Sequence, residues 1–237
     1  MFWASKMKIK SLIPFFLISI IISGCANNKA LVAIDYFPPE SKTIALLEPD
    51  VELSEHTVGG MLVPKAEWTK LAKNNLIKAI QNKLNSIKGN IKTINMDLIA
   101  NPDEKEIQLM KTMSAMGMSI LIHNYVANSS LPTKEDNPIW SMGKETSYLK
   151  RKYKADYGLL FYVRDQFTSS SRQATKILAA LIGIQMAAAI QQAYAGIVDL
   201  ENGQLVWFNH LLKTSGDTRT QKGANEMIFE LMKDMPS

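Results

Sequence analysis

The stretch Glu48-Pro-Asp-Val-Glu-Leu-Ser-Glu-His56 is the richest polar cluster in a chain of 237 residues. Its carboxylates, Glu48, Asp50, Glu52 and Glu55, are of the type that holds a divalent cation through oxygen ligands. The spacing lacks the glycine and the regular alternation of an EF-hand loop, so a solvated acidic loop is expected there. It follows an apolar run, the position where open α/β folds build ligand crevices. The three histidines, His56, His123 and His210, form no His-x-x-x-His pair that would set two imidazoles on one helical face for zinc. Gly59-Gly60 is too short to cradle a phosphate, and no Gly-x-Ser-x-Gly elbow occurs. These patterns predict a protein that is not an enzyme and takes no metal and no cofactor. The single cysteine, Cys25, has no second thiol with which to form an intramolecular disulfide.

The position of Cys25 is informative. Lys6, Lys8 and Lys10 precede an apolar run from Ser11 to Ile22, followed by the small residues Ser23 and Gly24, which is the layout of a secretory signal peptide. Pro14 and the serines interrupt a run already shorter than the roughly 20 residues of a spanning helix. Ser23-Gly24-Cys25 resembles the lipobox of bacterial lipoproteins. The resemblance implies a signal peptide over residues 1–24, acylation of the Cys25 thiol, and a membrane as the first partner. Each buried acyl methylene contributes about 0.8 kcal/mol, so an anchor of several chains is stable. Ala26 stands where an aspartate would imply inner-membrane retention. The implied location is therefore the outer membrane, lipid-anchored and facing the periplasm.

Residues 25–40 read as an acylated tether, polar and ended by Pro38-Pro39. Residues 41–237 are long enough for one domain with its own core. Losing Lys6, Lys8 and Lys10 with the signal lowers the formal charge from +5 to +2, so no nucleic-acid partner is expected.

Within that domain, Thr43–Leu47 reads as a buried strand. From Ala66 to Ile87 apolar residues recur every three or four positions, and Lys70, Lys73, Lys78 and Lys83 lie largely off the stripe, as on an amphipathic helix. Ile91–Asn95 is a weaker strand. Asp103 is placed to cap a helix running to about His123; its methionines 110, 113, 116 and 118 are expected to fill core gaps. Tyr157–Val163 has the content of a central strand. Tyr194–Leu200 and Gln204–Leu212 flank Asn202-Gly203, a pair suited to a tight reversal. A last helix follows Thr218 or Thr220. The order predicts a single α/β domain: a mixed sheet of about five strands with a C-terminal antiparallel hairpin, covered by helices.

The segment 174–193 falls outside that scheme. It reads as a helix apolar nearly all round, which must be buried, paired or in a membrane. Ala179, Ala180, Gly183 and Ala187 would permit close helix approach. Burial against the sheet is the expectation. The alternative is an interaction segment, through Ile177, Leu178, Leu181, Ile184, Met186 and Ile190, that contacts a membrane or another subunit.

Lys154-Ala-Asp-Tyr-Gly-Leu-Leu-Phe-Tyr-Val-Arg-Asp165 and Ile197-Val-Asp-Leu-Glu-Asn-Gly-Gln-Leu-Val-Trp-Phe-Asn209 resemble a group of proteobacterial outer-membrane lipoproteins. More loosely, the chain is similar to the periplasmic α/β domain of the curli-secretion lipoprotein and to the N-terminal domain of the Tol-Pal translocation protein. The resemblance implies a non-catalytic interaction module of the cell envelope, binding envelope proteins or its own copies. A second reading is an assembly or export component whose segment 174–193 forms a membrane or oligomer contact; a hydrolytic enzyme comes third. The curli-type protein inserts membrane-spanning β-hairpins where this chain has its alanine-rich segment, so no β-barrel pore is expected.

Overall fold

The structure, a computed structural model, describes residues 30–32, 43–87, 92–94, 102–135 and 139–235. Cys25 and the remainder of the 25–40 stretch apart from Ala30–Val32 lie outside the described residues. In chain order the elements are β1 (Leu31–Val32), β2 (Thr43–Leu46), β3 (Asp50–His56), β4 (Leu62–Pro64), α1 (Ala66–Ser86), β5 (Lys92–Ile94) and α2 (Glu104–Tyr125). There follow α3 (Pro132–Glu135), a 3-10 turn (Lys144–Thr146), α4 (Ser147–Tyr153), β6 (Tyr157–Thr168), α5 (Ser170–Leu181), β7 (Gln191–Asp199), β8 (Leu205–Lys213) and α6 (Gln221–Leu231).

β6 organises the sheet because it is long and buried on both faces over most of its length. One side pairs antiparallel with β7, from Tyr157↔Asp199 to Asp165↔Gln191. The other side is taken in tandem: β2 runs parallel at Ile44↔Tyr157 to Leu46↔Leu159, and β3 continues from Asp50↔Tyr162 to His56↔Thr168. The order β1-β8-β7-β6-β2-β5 makes a mixed sheet, with β4 lying antiparallel outside β3. This is the α/β fold with a C-terminal hairpin that the sequence predicts, with short edge strands added.

Alternate residues of the strands feed two core layers. Ile44, Leu46, Leu159, Phe161, Val163, Ile197 and Trp207 pack under Leu76, Ile80 and Leu84 of α1 and Met227, Ile228 and Leu231 of α6. Ala45, Leu47, Leu160, Tyr194, Val198 and Phe208 pack under Leu109, Met113 and Ile120 of α2 and Leu149 and Tyr153 of α4. The Asp103 side chain accepts from the Glu106 amide at 2.9 Å, capping α2, and Thr220 accepts from the Gly223 amide at 3.0 Å, capping α6.

Three local expectations are corrected. The stretch read as an acidic loop is largely a strand, β3. Beyond Leu159, β6 would otherwise present unpaired backbone groups on that side, and Asp50–His56 satisfies them. The Asn202-Gly203 reversal is not a two-residue turn. Gly203 alone has positive φ there (76°), its amide donates to the Asp199 carbonyl at 2.8 Å, and the Asp199 carboxylate accepts from the Glu201 amide at 2.7 Å. Finally, the helix expected across Ile177–Ile190 stops at Leu181. Gly183 takes φ 78°, its amide donates to the Ala180 carbonyl at 3.1 Å, and the Ile184 amide donates to the Ala179 carbonyl at 2.9 Å. That pair of bonds is a Schellman stop. A Cβ on Gly183 would meet nothing within 4 Å among the described residues, so within the chain this glycine serves to end a helix.

Candidate contact surface

One end of the sheet is defined by His56, Thr168, Gln191 and Lys213, the adjoining ends of β3, β6, β7 and β8. The β3–β4 turn, α5 and the stretch 182–190 gather there. Ser169 starts α5 by accepting from the Arg172 amide at 3.2 Å. Of the twelve residues of α5, only Arg172 is buried. The burial expected for 174–193 is found only where the segment enters β7, at Gln191 and Ala193, and not over α5 or 182–190, because β6 and β7 are already covered on both faces by the helices of the two core layers.

The apolar side chains point outward instead. Ile177, Leu178 and Leu181 fall on one face of α5 and are 61%, 65% and 78% exposed. Ile182 and Ile184 continue the surface, Ile190 is exposed and Met186 is half-buried. Across the β3–β4 turn, Val58, Met61, Leu62 and Val63 are exposed as well.

Arg172 joins these segments. Its Nη1 donates to the Thr57 carbonyl at 3.1 Å and more weakly to that of Val58, and its Nη2 donates to the Ala187 carbonyl at 3.3 Å. Among the described residues no carboxylate lies in ion-pair range of this guanidinium, which is 4% exposed. Its two Nη atoms are held by carbonyl dipoles while the buried Nε has no hydrogen-bond partner among the described residues, so it works as a clamp on backbone. At the same end of the sheet, Asp165 accepts from Thr218 Oγ1 at 2.6 Å and Gln191 Nε2 at 2.9 Å, pinning the loop before α6 to the sheet. Burial pushes the Asp165 carboxyl above the ordinary carboxylate range, against the bonds from Thr218 and Gln191. No sequence motif marks Arg172, and Asp165 closes the 154–165 stretch with nothing in the linear chain to signal its buried role.

A groove of about 350 Å³ opens where β2 breaks into β3, lined by Leu47, Pro49, Met110 and Met113 with Glu48, Asp50 and Lys73. Glu48 pairs with Lys73, Asp50 with Arg164 at 2.8 Å, and Glu55 with Lys65 at 2.6 Å. The carboxylates expected as a cluster are thus spread out: Glu48 precedes β3 and Asp50, Glu52 and Glu55 lie along it, and all but Glu52, which accepts from Ser54 Oγ at 3.4 Å, have a cation of their own. Ser114 Oγ donates to Asp50 at 3.2 Å, a carboxylate already engaged by a guanidinium. The histidines are dispersed: His56 ends β3 with Nε2 3.1 Å from the Gly60 carbonyl, His123 sits in the last turn of α2, and His210 on β8 lies against Tyr125. Among the described residues no three His, Cys, Asp or Glu side chains gather to hold a metal ion.

No family model matches the chain, and no curated protein matches it. Among solved structures it is similar to the PelC dodecamer from Paraburkholderia phytofirmans, at 8% identity and TM-score 0.38 over 88% of this chain and 98% of that one. It is also similar to lipoprotein GNA1162 from Neisseria meningitidis, at 14% identity and TM-score 0.33 over 79% and 92% of the two chains. The LpoB C-terminal domain from Salmonella enterica matches at 10% identity and TM-score 0.27 over 74% and 84%. Likenesses this distant carry no argument about function.

Proposed function

We propose that the chain is a lipid-anchored, non-catalytic module of the bacterial envelope, held on the periplasmic side of the outer membrane through Cys25. It makes its working contact through the apolar end of the sheet. The observation that carries this reading is the exposure of Ile177, Leu178, Leu181, Ile182 and Ile184 on a segment fastened by a buried guanidinium. Contiguous apolar surface of this kind marks a protein or membrane contact. It supports the assembly or export reading over one in which the segment belongs to the core.

The test is a photo-reactive residue placed at Leu178 of the full chain in native envelopes. Crosslinks to lipid or protein are expected. Ile184→Asp should keep the melting temperature, since an exposed carboxylate costs little. Loss of cooperative melting in that variant, or no crosslink from Leu178, overturns the proposal.

A further inference from the structure

We infer that the apolar end of the sheet rests on the lipid bilayer, giving the protein a second attachment beside the acyl chains of Cys25. This rests on the lipid-anchored reading above and names the occupant of the same surface. β1 sets the direction in which the tether leaves the sheet. Its antiparallel register, Leu31↔Phe208 and Val32↔Trp207, sends the chain backward from Leu31 toward Asn209 and Lys213, which is the end that bears α5. Between Cys25 and Ala30 stand only Ala26, Asn27, Asn28 and Lys29. At about 3.3–3.6 Å per residue, Cys25 lies within about 18 Å of Ala30. The rise from Phe208 to Lys213 is about 17 Å. With β1 heading toward this end, the tether is long enough for an acylated Cys25 to hold it against the membrane.

The chemistry of the surface agrees. α5 presents isoleucine and leucine outward, and no described helix is long and apolar enough to cross a bilayer, so the element suits the interface. A second copy seated on the same surface would occupy the space where so short a tether brings the bilayer.

The experiment uses a chain beginning at Ala26, which keeps every described residue and both core layers, and vesicles of phosphatidylethanolamine with a minor share of phosphatidylglycerol. Cosedimentation with the vesicles is expected. Ile177→Asp combined with Leu181→Asp should lower the partition coefficient by about tenfold or more while leaving the melting temperature unchanged. Ile107→Asp, exposed on α2, should change neither. A chain that ignores vesicles but associates in sedimentation velocity, with association lost in the double variant, overturns the bilayer assignment and leaves the contact-module reading standing. A monomer that ignores vesicles and gives no crosslink from Leu178 in envelopes overturns both. Equal vesicle binding by the double variant also overturns the inference.

Discussion

Arg172 Nη2 donates to the carbonyl oxygen of Ala187 at 3.3 Å, while Nη1 of the same side chain holds the Thr57 carbonyl from the other side. A twelve-residue helix is marginal by itself in water, and α5 has almost no buried face to stabilise it. The guanidinium therefore supplies what packing does not. Arg172→Met keeps the apolar stem and removes the donors. Hydrogen bonds to charged groups contribute about 1.5–3 kcal/mol, so amide exchange across 170–190 should accelerate by about tenfold or more. Amides in the centre of β6 and β7 should keep their protection. Uniform acceleration, read by exchange and mass spectrometry, would show that the clamp serves the whole body.

Gly117 of α2 faces Tyr194 with no room for a side chain: a Cβ there would sit 2.3 Å from Cε2. The ring cannot retreat, since it stacks on Tyr162 at 4.7 Å and its hydroxyl donates to the Ser114 carbonyl at 2.6 Å. Gly117→Ala should destabilise by about 1–3 kcal/mol through overpacking. Adding Tyr194→Leu should recover part of that loss, and strictly additive midpoints in a urea double-mutant cycle would contradict the contact.

Gly203 is constrained twice, by φ 76° and by the Gly143 carbonyl, 2.3 Å from where its Cβ would lie. Gly203→Val should lower stability by at least about 1 kcal/mol, because a β-branched residue is strained at positive φ. An unchanged denaturation midpoint would place the turn elsewhere.

Periodicity made most of this fold legible. Ala66–Ser86 and the hairpin strands follow from spacing, and Asp103 and Thr220 both cap as their residue types suggest. What spacing hid was set by distant partners. Asp50–His56 looks acidic because Glu52 points outward and Glu55 pairs with Lys65, yet Leu53 is fully buried. Its strand identity comes from β6, more than a hundred positions away. The alternation of Val51 and Leu53 with Asp50 and Glu52 was the one local signal of it. In the alanine-rich segment Gly183 was a legible stop, outweighed by the apolar run around it. The outward turn of Ile177–Ile184 was not legible, since apolarity alone does not say which side other helices have already taken.

The Asp103 carboxylate is held well below its ordinary range, first by the hydrogen bond from Lys152 Nζ at 2.8 Å, then by the Tyr148 hydroxyl and the Glu106 amide. A group whose pKa falls on folding adds stability above its unfolded pKa and loses it as pH drops toward the folded value. Asp103→Asn retains a good cap but abolishes the charge. The variant should melt lower than the parent at neutral pH. Because the unfolded carboxyl titrates near about 3.9, the gap should narrow as pH falls below about 4. Lys152, raised by Asp103 and then by Glu106, contributes in the opposite window. Its share is intact below the unfolded lysine pKa of about 10.4 and is lost only as pH rises beyond it, so it leaves the acid limb unchanged. Melting curves of the two proteins from neutral to acid pH separate the possibilities, and a gap that stays constant across that range would assign the effect to capping geometry instead of charge.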